Sequence, residues 1–95
     1  MAIYTNQTDF LYKCKHTDYI RDINAATFVF VLYKPNGDVI RKSDLQVDGD
    51  YLLRVPTDVN ELDGAGRYRY QIEFTFAGKE IPSGTESFDV VHRGR

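Results

Sequence analysis

Ten consecutive residues, Arg67 to Phe76, alternate between polar and apolar without a break. Tyr68, Tyr70, Ile72, Phe74 and Phe76 fall on one side of an extended chain, and Arg67, Arg69, Gln71, Glu73 and Thr75 on the other. A period of two over that length specifies a strand with one face in the core and one in water; a helix would spread the rings around its circumference. Period two recurs along most of the chain. Phe28, Phe30 and Leu32 alternate with Val29, Val31 and Tyr33, so the run from Ala26 to Tyr33 is apolar on both sides. That is the pattern of a central strand covered on both faces, the outer one by the protein's own loops or by a partner.

Turn chemistry separates these runs. Lys34-Pro35-Asn36-Gly37-Asp38 reverses the chain, with proline presetting φ and Gly37 supplying a positive one, and Val39 to Lys42 returns as a hairpin partner. Asp48-Gly49-Asp50 makes a second turn, after which Tyr51, Leu53 and Val55 are expected to share the inward face of a strand. The stretch 56–62 reads as a corner with one helical turn, capped by Asp58 with Glu61 three residues later in a capping box. Phe10, Tyr12 and Cys14 mark a first strand, and Phe88 and Val90 a last one from about Thr85 to Val91. Six or seven short strands with regular turns predict an all-β antiparallel sandwich. With 95 residues this is one domain, its core spanning about residues 9–91.

The segment from Leu62 to Tyr70 sharpens the fold class to immunoglobulin-like. It resembles the corner at which such sandwiches cross between sheets, where a tyrosine hydroxyl bonds back to backbone a few residues upstream. Tyr68 would be that tyrosine, with Gly66 and Leu62 completing the structural corner.

Chemistry-bearing groups are sparse. A formal net charge of −2 and a pI near 5.6 argue against a nucleic-acid partner bound through a basic surface. A single cysteine excludes an internal disulfide and a Cys-rich zinc site. Neither a charged, apolar leader at the N-terminus nor a run near the ~20 residues of a membrane span is present, so the expectation is a chain made in the cytoplasm with no membrane partner. Asn6-Gln7-Thr8 matches a glycosylation acceptor that no secretory route would use. Cys14 and His16, two apart on one strand, do not converge as a nucleophile and base, and Cys14 reads as a small buried hydrophobe. Asp44, Asp48 and Asp50, and Asp58, Glu61 and Asp63, would be solvated turn residues or, in a third reading, calcium ligands; neither set has the spacing of a calcium loop. The glycine stretches 64–66 and 77–80 lack the features of phosphate loops. Tyr12, Tyr51, Tyr68 and Tyr70 are expected inward, which favours core packing over a sugar-stacking platform. The basic tail from His92 to Arg95 reads as a fraying terminus. No catalytic, cofactor-binding or metal-binding residue is assigned, and no cofactor.

Taken together, the runs 27–40, 48–56 and 66–73 resemble the N-terminal domain of bacteriophage baseplate upper proteins and related immunoglobulin-like domains of phage tails. The resemblance covers about Asp9 to Val91. It implies a non-enzymatic domain of the virion tail or baseplate that attaches receptor-binding machinery in symmetric multi-copy rings. Other virion proteins would be the partners, and further copies of the chain in a homo-oligomer. Family members continue into a helical or adaptor segment, whereas this sequence stops at Arg95, so the resemblance bears on fold and virion context more than on the adaptor role. No functional residue is carried over, because the matched positions are scaffold. The runner-up expectation is a carbohydrate- or receptor-binding module.

Overall fold

A computed structural model describes residues 3–92. The described residues form an all-β sandwich of two sheets and nine strands: β1 (Ile3–Tyr4), β2 (Tyr12–Lys15), β3 (Thr27–Tyr33), β4 (Val39–Lys42), β5 (Gln46–Asp48), β6 (Tyr51–Arg54), β7 (Gly66–Phe76), β8 (Lys79–Pro82) and β9 (Glu86–Val91). The larger sheet runs β1-β9-β7-β3-β4, with β8 paired to the far end of β7, and the smaller runs β2-β6-β5. All pairings are antiparallel except the two-residue contact of β1 with β9, which is parallel. This arrangement is the expected antiparallel β-sandwich, with β1, β5 and β8 added to the six strands located in the sequence. The basic tail beyond His92 lies outside the described residues.

The long alternating run forms β7, which pairs along its length with β3 and, on its other side, with β9 and then β8. Phe76 and Lys79 close the β7–β8 hairpin over Ala77 and Gly78, both at positive φ (53° and 78°). A two-residue loop with both φ positive matches the right-handed twist of the strands it joins. Where the chain passes from β8 to β9, the Ser83 Oγ accepts from the Ile72 N–H at 2.8 Å and so fills the gap in the ladder.

The core is aromatic. Tyr12 of β2 meets Phe30 at 4.6 Å between ring centroids and Tyr70 at 5.0 Å, and Phe10 packs on Tyr12 and Phe88 at 4.9 Å each. Into this layer projects a buried ion pair. The Arg54 guanidinium is fully buried, 4.5 Å above the Phe30 ring, and forks onto Glu61 with bonds of 2.7 and 2.8 Å. Its Nε donates to Asp44 at 2.6 Å, and the Tyr12 hydroxyl donates to Glu61 at 3.0 Å.

That arginine inverts the expected face of β6. Leu52 and Arg54 point inward, while Tyr51 and Leu53 lie on the half-exposed outer side and Val55, past the strand end, is exposed. The apolar pattern Tyr51-Leu53-Val55 suggested the reverse, because a buried, fully paired guanidinium counts as polar in any hydropathy reading. Tyr51 is therefore not a core residue; the Lys13 ammonium sits 4.4 Å over its ring. Nor is Glu61 part of a helix cap. Asp58 accepts from the Asn60 N–H at 2.8 Å in a local turn, and Glu61 goes into the core.

The outer face of β3 is also covered differently from a loop or partner lid. Val31 is fully buried on that face. Arg41 of β4 and Glu73 of β7 meet at 2.8 Å across β3, and the Arg69 guanidinium lies 5.2 Å over the Tyr33 ring. Such exposed ion pairs contribute little electrostatically, but their aliphatic stems take apolar surface out of water.

Removing one member of the buried pair leaves the other charge without compensation, which costs about 3–5 kcal/mol, whereas replacing both by apolar groups of similar size costs far less. We predict that Arg54→Met lowers the urea unfolding free energy by about that amount and that Arg54→Met with Glu61→Met recovers most of the loss. An Arg54→Met variant as stable as the parent would contradict the network.

Candidate functional site: an unpaired strand edge

The residues expected at the structural corner converge. The Tyr68 ring is fully buried, its hydroxyl donates to the Gly64 carbonyl at 2.6 Å and accepts from the Gly64 N–H at 3.2 Å. Leu62 is fully buried, and its carbonyl accepts from Asn6 N–H at 2.7 Å, which ties the N-terminal segment to the corner. Gly66 adopts φ +139°, and a Cβ there would stand 2.9 Å from the Pro35 ring. Lys34, on the same turn as Pro35, reaches Asp63 at 2.7 Å and holds that carboxyl below its usual pKa. This corner is scaffold: it locks one end of the sandwich and carries no exposed reactive group.

The other chemistry-bearing residues are dispersed. Burial pushes the Cys14 thiol up from 9.0 to about 11, so it is protonated at neutral pH. His16 is buried in a 3-10 turn, where Nε2 lies 2.8 Å from the Gly49 carbonyl, the contact of an Nε2–H tautomer, and Nδ1 has no hydrogen-bond partner. Asp44 and Glu61 serve Arg54, Asp58 serves a turn and Asp63 serves Lys34. Among the described residues no three His, Cys, Asp or Glu side chains gather as a metal-ligand set.

What the sequence reading did not isolate is the edge of β2. Within the smaller sheet β2 pairs only with β6, through Tyr12–Arg54 to Lys15–Tyr51. Immediately beyond this ladder the His16 N–H donates to the Asp50 carbonyl at 2.9 Å. Ladder bonds in antiparallel pairs alternate, so Tyr12 and Cys14 exchange theirs with β6 while Lys13 and Lys15 turn N–H and C=O away from it. The Lys13 carbonyl accordingly accepts from the Tyr70 hydroxyl, at 3.3 Å. The outward N–H groups of Lys13 and Lys15 face no strand among the described residues.

This edge borders a cavity of about 510 Å³ between the two sheets. Cys14 and Tyr70 form part of its inner wall, and the 83–86 segment runs along the opposite side. The upstream part of β9 lacks an outer neighbour as well, because β1 pairs only with Val90 and Val91. One side of the sandwich, among the described residues, therefore stays open between two strand edges, in a groove. A free edge is a template for another strand, which natural sequences guard with lysine; Lys13 and Lys15 occupy that position here.

Comparison with protein-family models and with curated proteins finds no match to this chain.

The ionisable core predicts an alkaline limit. Burial raises the hydroxyl pKa of Tyr12, Tyr68 and Tyr70 above the ordinary value of 10.0, and Cys14 rises from 9.0 to about 11. Each group holds its proton more tightly folded than unfolded, so its contribution is complete below the unfolded pKa and is lost as pH climbs through the folded one. Denaturant midpoints should be level through neutrality and fall from about pH 9 upward. A midpoint that holds level to pH 11 would contradict the buried placement of these groups.

Proposed function

We propose that this chain is a non-enzymatic docking domain of a bacteriophage particle, a tail or baseplate component that binds other virion proteins. The observation that carries the docking role is the unpaired edge of β2 beside the open groove. Adding a strand to such an edge gives affinity through main-chain hydrogen bonds and specificity through alternate side chains. The virion context rests on the resemblance of the runs 27–40, 48–56 and 66–73 to phage tail domains. On this reading the protein is made in the host cytoplasm and resides in the assembled particle.

The groove favours protein docking over sugar stacking. Of its three tyrosines, Tyr19 stacks on Phe74 at 6.0 Å, Tyr51 lies under Lys13 and Tyr70 packs against Tyr12. A carbohydrate platform needs free aromatic faces, and each of these rings already holds a neighbour. The outer face of β3 is a poorer docking surface, since its own charged neighbours roof it.

Mass spectrometry of gradient-purified particles, after treatment with an amine-reactive cross-linker, tests the proposal. The chain is expected in the particles with cross-links from Lys13 or Lys15 to another virion protein. Particles without it would end the reading, and measurable heat on titration with host-wall polysaccharide would favour a glycan-binding module instead.

A further inference from the structure

The two walls of the β2 groove carry opposite charge. Lys13 and Lys15 stand two residues apart on the exposed outer side of the strand, about 7 Å along it. The inner wall is acidic. Glu86 occupies the same face of β9 as Phe88 and Val90, directed toward the interior, yet it remains exposed because the groove lies in front of it. Asp18, in the 3-10 turn after β2, lines the same space. Both carboxylates line the cavity together with Cys14, the inward residue of β2. Neither has a cationic partner among the described residues.

A strand laid along β2 would alternate in the same way as β2 itself. Residues opposite Lys13 and Lys15 would project outward beside two ammonium groups. The residue between them, opposite Cys14, would project inward toward Asp18 and Glu86. We propose that the groove takes an extended segment of a partner protein that reads acidic–basic–acidic, added as a fourth strand to the β2-β6-β5 sheet with its basic side chain in the cavity. The proposal rests on the docking reading above and names the chemistry of its partner. No acidic–basic–acidic triplet occurs in these 95 residues, so another copy of them does not supply the segment. The Tyr70 hydroxyl would give up the Lys13 carbonyl to the incoming N–H.

The test uses the whole chain and the capped peptide Thr-Thr-Glu-Arg-Glu-Thr-Thr. Binding is read by amide chemical shifts and by hydrogen exchange at Lys13 and Lys15. The peptide should protect those two amides. Lys13→Glu with Lys15→Glu, and separately Asp18→Asn with Glu86→Gln, should each weaken binding by about tenfold, since each alters two facing charge pairs. All four positions are exposed, and dispersed amide spectra would verify that the variants fold. Binding indifferent to both double substitutions would overturn the charge-coded occupant. Absence of protection at β2 up to about 1 mM peptide would overturn it too. In either case, cross-links from Lys13 or Lys15 to a virion protein would leave the docking role standing, so the two ideas fail separately.

Discussion

The sandwich depends on one buried guanidinium. Arg54 sits between the sheets, stacked over Phe30 and forked onto Glu61, and it reaches Asp44 on the link between β4 and β5. The corner at Glu61, the β4–β5 link at Asp44 and the inner face of β3 at Phe30 are thereby held at one point. A planar fork can satisfy two carboxylates and lie on an aromatic ring at once, which a lysine ammonium cannot. The interaction also fixes register. A one-residue slip of β6 would send Arg54 to solvent, strand Glu61 in the core and exchange every inward side chain of the strand for an outward one. Desolvation consumes much of the attraction in such a pair, so its larger effect is on which arrangement forms.

Register at β6 decides what β2 offers to its surroundings. With Arg54 inward, Tyr12 and Cys14 are the residues that bond to β6, and Lys13 and Lys15 face outward. The unequal widths of the two sheets leave that edge uncovered. The N-terminal strand β1 joins β9 in the larger sheet, not β2 in the smaller, so the described residues leave that side open. The outer strands β4 and β5 carry Arg41 and Lys42, and Gln46 and Asp48, beside the exposed Val39 and Val47. β2 differs because its edge opens onto a cavity with an acidic inner wall.

How far the sequence reveals this follows from how well each residue obeys its type. The strand 67–76 was legible because both of its faces conform, apolar inward and polar outward. The same holds for the 39–42 hairpin, whose turn residues each satisfy a specific backbone demand. β6 was read inside out because its key inward residue is charged, and hydropathy cannot see the partner that makes burial tolerable. Glu61 was misplaced for the same reason. β8 was hidden because Ala77-Gly78 is a weaker hairpin signal than Asn-Gly, although alanine does adopt positive φ there. The apolar outer face of β3 pointed to a covering element, and long polar side chains from β4 and β7 serve instead. The groove had no local signature: it arises from a pairing that does not form.

Residue-resolved hydrogen exchange of β2 in the free protein tests this account most directly. The amides of Tyr12, Cys14 and His16 should be protected, and those of Lys13 and Lys15 should exchange orders of magnitude faster. Protection of all five, or of the lysines in place of their neighbours, would mean that the edge is occupied or the register reversed.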